Sequence, residues 1–172
     1  MRDQAKRTGS RQLRHRADGF SLIELLIVVA IILIIAAIAV PNFLRARIAA
    51  NEAAAVAACK KIMTAQVVYA STFGQGYSQT LAQLGPPGGG GTPNMNAAAL
   101  LDEVLTSGTK HGYIFTYAPV DNDGNGLPEA FTINADPTIP GSSGNRHFFI
   151  DQSGVVRQKT GAAAGPNDPP IG

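Results

Sequence analysis

The apolar positions of this chain fall into two regimes. Residues 20–40 form a run of 21 residues interrupted only by Ser21 and Glu24. As a helix that run extends about 31 Å, close to the hydrocarbon thickness of a bilayer. Pro41 follows. Inside a continuing helix a proline removes one hydrogen bond and crowds the preceding turn, so a kink or an ending is expected there. Residues 42–73 are rich in alanine and place Val56, Cys59, Met63, Val67 and Ala70 at spacings of 3, 4, 4 and 3, one face of an amphipathic helix. The pattern predicts a long helix, kinked or locally unwound near Pro41, whose second half packs on a globular head.

Beyond Phe73 the composition turns to Gly, Pro, Ser and Thr. GPPGGGGTPN at 85–94 reads as a flexible loop; it lacks the Lys-Ser/Thr ending of a phosphate-binding loop and no strand leads into it. NAAALLDEVLTSG reads as a short helix with Asn96 as N-cap, Leu100, Leu101, Val104 and Leu105 facing inward, and Gly108 as its stop. Four strand-like runs follow, at 113–117, 130–134, 147–150 and 155–158, rich in aromatic and β-branched residues and bounded by turns. Asp151-Gln152-Ser153-Gly154 suits a tight hairpin with Gly154 at positive φ. The last stretch, 161–172, has no apolar period and is expected to be a flexible tail. The fold class is α+β: a long N-terminal α-helix packed on a small antiparallel β-sheet head, with the head spanning 74–160.

Charge sharpens the picture of the front end. Residues 1–19 carry six Lys/Arg against Asp3 and Asp18, a net of +4, so the remainder is net −2 within the overall +2. The basic segment before the apolar run, against only Arg45 and Arg47 after it, holds the front in the cytoplasm and sends the body outward. Without that segment the body is mildly acidic, which argues against a sequence-blind nucleic-acid surface. A single cysteine, Cys59, excludes an internal disulfide and supplies no Cys/His metal spacing.

Three readings of the front segment compete. A secretory signal explains the basic start and the small-x-small triplet Ala37-Ile38-Ala39, with cutting before Val40, but its apolar region is normally shorter and free of acids. An uncleaved anchor explains the length and leaves Glu24 without a reason. In the third reading the cut falls between Gly19 and Phe20 on the cytoplasmic side. GFSLIEL, the apolar run and VPNF resemble the N-terminal signature of type IV pilins and the related type II secretion pseudopilins, with Gly19, Phe20, Glu24 and Pro41 in register. The resemblance covers residues 19–73 closely and the body in layout only.

That resemblance implies removal of the leader 1–19 by a prepilin peptidase and methylation of the new N-terminal residue, Phe20. Residues 20–41 would then be a transmembrane or filament-core half-helix and 42–73 an amphipathic half. It further implies a structural subunit that polymerises into a helical homo-oligomer serving adhesion, motility or DNA uptake, the alternative being the major pseudopilin of a type II secretion system. The precursor would sit in the inner membrane with its N-terminus cytoplasmic and meet pilus or secretion assembly machinery. The product would lie at the cell surface or in a periplasmic pseudopilus. No sequence-specific nucleic acid and no required cofactor are expected.

The chemistry of Glu24 stands beside the resemblance. A carboxylate at the centre of a spanning helix costs about 2.5–3.5 kcal/mol on insertion scales, less near the end, and usually has a partner. Cleavage before Phe20 exposes an α-amino group with a pKa of about 7.7–8.0, largely cationic at neutral pH and placed at the positive end of the helix dipole. Phe20 and Glu24 are i and i+4, so pairing within one chain is possible. Pairing of Glu24 with the amine of an incoming copy is the assembly role that the resemblance favours.

One loop raises a metal question. In DNDGNG, Asp121, Asp123 and Asn125 followed by Gly126 match the first half of a calcium loop, while Thr132 stands where that pattern wants a bidentate glutamate; Glu129 is near. Asp-Gly and Asn-Gly are also hairpin-turn signals, so calcium and a plain turn both account for these residues. His15, His111 and His147 are isolated, no serine sits in a nucleophile elbow, and there is no haem-attachment motif or Asn-x-Ser/Thr triplet. The expectation is a peptidase's substrate and not an enzyme.

Overall fold

The computed structural model describes residues 19–171; the expected leader up to residue 18, with His15, lies outside them. The chain divides into two compact units at Val40 and Pro41. One long helix, α1 (Leu22–Phe73), runs through that boundary with Pro41 inside it, so the helix does not end at the proline. Up to Val40 nearly every side chain of α1 is exposed, including Leu22, Ile34 and Ile38 at 76%, 64% and 65%.

The second unit pairs the remainder of α1 with a five-stranded antiparallel sheet. Its strands are β1 (Thr109–Lys110), β2 (Tyr113–Val120), β3 (Ala130–Pro137), β4 (Arg146–Asp151) and β5 (Arg157–Thr160), and their spatial order is their chain order. Burial alternates along β3, with Phe131, Ile133 and Ala135 inward, as a sheet with one face on the core requires. These residues join Tyr113, Phe148 and Ile150 in one buried cluster with Ile62 and Cys59 of α1.

The buried face of α1 is rotated from the expected one. It comprises Glu52, Ala55, Ala58, Cys59, Ile62, Ala65, Gln66 and Tyr69, whereas Val67 is 49% exposed and Val56 and Met63 lie at the margin. Two polar residues on this face have fixed partners. The Gln66 amide donates to Ser78 Oγ and accepts the Ser78 N–H at 2.8 and 2.9 Å. A hydrophobic count cannot select such residues.

Three further expectations need correction. Instead of a helix capped by Asn96, α2 spans only Glu103–Thr106 and is capped by Asp102, which accepts the Leu105 N–H at 3.0 Å. The backbone of Ala98–Leu101 is engaged elsewhere: N–H groups of Ala98, Ala99, Leu100 and Leu101 donate to carbonyls of Gln83, Gly85 and Leu84, with Ala99 at φ 55°. Val104 is therefore exposed, although Leu101 and Leu105 are buried and Gly108 ends the turn at φ 82°. The sheet has five strands, not four, because Thr109–Lys110 folds back on Ile114 and Tyr113, and β5 begins two residues after Val155. Finally, residues 161–171 are tied down. Pro170 bridges to Arg157, Gln158 N–H donates to Pro169 O, Ile171 N–H donates to Val156 O, and Ala164 is buried. The 151–154 hairpin is as expected, with Gly154 at φ 77°.

Candidate functional site

The first candidate site is the start of α1. Gly19, Phe20 and Ser21 precede the helix, and Phe20 is 81% exposed. A side chain built at Gly19 would meet nothing within 4 Å. The Gly19–Phe20 bond thus lies in open, non-helical chain, the form a peptidase needs in order to reach a backbone carbonyl. Glu24 sits one turn in and accepts the Ser21 N–H at 2.9 Å, the reach-back half of a capping box. That bond uses Oε2; Oε1 has no hydrogen-bond partner among the described residues, so the carboxylate keeps an acceptor for a further donor.

The second is the β2–β3 loop. Asp121, Asp123 and Glu129 bring carboxylate oxygens within 4.8 Å of one another, all exposed. Asn125 faces elsewhere: its Oδ1 accepts the Leu127 N–H at 2.7 Å and its amide donates to Asp123. Asp121 receives the Gly124 and Gly126 N–H groups, each at 2.8 Å, and Glu129 receives that of Asn122 at 2.8 Å. The Gly126 N–H above all holds the Asp121 carboxyl below its usual range. Of the expected cation ligands the fold therefore converges Asp121 and Asp123, substitutes Glu129 for Asn125, and directs the loop's own N–H groups at all three carboxylates, with that of Asn125 reaching Asp123 at 3.1 Å.

Two polar clusters lie outside those expectations. Glu52 on α1 is 6% exposed and accepts N–H bonds from Asn145 and Arg146 at 2.8 and 3.2 Å and the Arg146 Nε at 2.7 Å. Burial pushes its carboxyl up, but the Asn145 N–H and the two Arg146 donors outweigh that and leave it below its usual range. Arg146 also donates to Gln158 at 2.7 Å and lies 5.4 Å from the Phe148 ring centre. The sequence signal was there: Glu52 is the one charged residue between Arg47 and Lys60. In the second cluster Asp102 takes Lys110 at 2.9 Å and Lys61 at 3.0 Å, which together hold it far below the usual carboxylate range.

His147 and Asp136 pair at 2.5 Å on neighbouring strands, and no nucleophile accompanies them in the hydrogen bonds described. Burial pushes the Cys59 thiol up to about 12, which makes it inert.

The helix that begins just after this open Gly-Phe stretch is long and apolar enough to cross a membrane. Residues 14–40 match the prokaryotic N-terminal methylation motif. The chain is 49% identical over 53 residues to the type IV wide pilus major component PilA4 of Thermus thermophilus, covering 31% of this chain and 40% of that protein. It is 51% identical over 51 residues to the type IV major pilin protein PilA of Myxococcus xanthus, covering 30% of this chain and 23% of that one. The matches thus span well under half of either relative. No solved structure matches. The N-terminal part of this chain is thus similar to type IV pilins over about 50 residues.

Proposed function

We propose that this chain is a structural subunit of a type IV pilus, made as an inner-membrane precursor, cut after Gly19, methylated on Phe20 and polymerised through α1 into a filament. The observation that carries this is the start of α1: an open Gly19–Phe20 bond, a carboxylate one turn later with an acceptor to spare, and fifteen exposed apolar residues behind it, up to Val40. The freed α-amino group of an incoming copy supplies the donor for Glu24, and the pair strengthens as water is excluded. Apolar side chains along the helix then bury one another at about 25 cal/mol per Å². This chemistry is that of a scaffold, and the partners it requires are the peptidase, the assembly machinery and further copies.

Mass spectrometry of the N-terminus of purified fibres tests the processing: methylated Phe20 is expected, and intact Met1 or a start at Val40 would overturn the reading. Glu24→Ala is expected to leave membrane insertion unchanged and to abolish or strongly reduce sheared fibres. Fibres at parental yield would refute the pairing.

A further inference from the structure

The head carries two oppositely charged features at opposite ends of β2. Near the start of β2 a shallow groove runs along α1, floored by Ala54, Ala57 and Ala58 and rimmed by Lys61, Lys110 and His111. It continues past Lys60 to Val68, which is 40% exposed. Asp102 bridges Lys61 and Lys110, so those three groups leave one net positive charge. Lys60 is exposed and has no ion pair among the described residues, which raises the rim to a net of +2.

At the far end of β2 the three carboxylates of Asp121, Asp123 and Glu129 project into solvent. Their hydrogen bonds go to N–H groups of their own loop, and no Lys or Arg pairs with them among the described residues. Leu127 stands in the same loop, 41% exposed. Eight strand residues separate the two features, a span of roughly 25 Å at about 3.3 Å per residue, so one head cannot bring its own loop to its own groove.

We propose that the groove receives the 121–129 loop of a second copy, with the acids meeting Lys60 and the lysines beside Asp102, and Leu127 meeting the alanine floor and Val68. The occupant follows from complementarity on this page. The groove is apolar below and cationic at its rim, and the chain's own loop is apolar at its centre and acidic around it. A nucleic acid fits less well, because Asp102 sits between the two lysines and the floor offers no donors. Two different patches meeting make a heterologous contact, which repeats along an axis wherever its rotation does not close a ring. The inference rests on the filament reading and adds a head-to-head contact to the helix packing proposed there.

Cysteine pairing in fibres tests it. Lys60→Cys and Asp123→Cys in one chain are expected to give, after mild oxidation, a ladder of disulfide-linked multiples on non-reducing gels; each single substitution is expected to give no ladder beyond the parent, whose buried Cys59 stays silent. Fibres that form without the ladder, or a link to some other protein, would overturn the groove contact and leave the pilus reading intact. Absence of fibres from the parent chain itself would instead strike the pilus reading. Independently, Lys60→Glu is expected to lower fibre yield about 5-fold, and adding Asp123→Lys to restore it, because like charges in contact are strongly disfavoured. Equal yields from all three chains would also overturn the proposal.

Discussion

Single acids in apolar surroundings organise both units of this protein. Glu24 stands in an exposed apolar helix with an acceptor to spare, whereas Glu52 is buried and fully engaged by Asn145 and Arg146. Removing Glu52 strands the Asn145 and Arg146 N–H groups, while the partly exposed Arg146 side chain can reach water, so Glu52→Ala is expected to cost about 1–3 kcal/mol and Glu52→Gln less, read by denaturant unfolding of the full chain in detergent. Because the folded-state pKa of Glu52 is lowered, its contribution is complete above the unfolded carboxylate range and is lost as pH falls through the folded value. The stability difference between parent and Glu52→Gln should therefore shrink on acidification from pH 7, and a gap that widens would contradict the assignment. Cys59 gives a second residue-scale readout: a thiol reagent at pH 8 should label it only after unfolding. Glu24 was legible in the sequence because a lone charge in an apolar run demands a partner. Glu52 carried the same signal in an alanine-rich run and went unread, since its partner is more than ninety residues away.

At the scale of elements, what local pattern controls came through and what distant backbone controls did not. The apolar run, β2 to β4 and the Gly154 hairpin follow from periodicity and turn chemistry. The Asn96 helix failed because carbonyls of Gln83–Gly85 claim the N–H groups of Ala98–Leu101, a competition that helix propensity cannot see. The tail was misread for the same reason: its anchorage is hydrogen bonding to Val156, Arg157 and Gln158, which leaves no hydrophobic period. Deleting 161–172 should expose Val156 and the β5 edge and lower stability by about 1–3 kcal/mol, measured by the same unfolding assay. An unchanged midpoint would show the tail to be dispensable. Pro41 lies within α1 and lacks an N–H, so amide exchange is expected to be fastest near residues 37–43 and to slow in Pro41→Ala.

For the molecule as a whole, the division between the apolar half of the helix and the rest of the body was legible in the sequence, because composition changes sharply after Val40. The sequence did not disclose which head surfaces meet other copies: the Lys60 groove draws on α1, α2 and β1, and only folding brings them together. The strand order carries one more consequence. Each strand of the head pairs with the strand made just before it, and the helix they cover is made before all of them. A chain delivered from its N-terminus can thus zip up its sheet in the sequence of its delivery. Such low separation between paired strands favours rapid maturation of the sheet and leaves few unpaired strand edges standing.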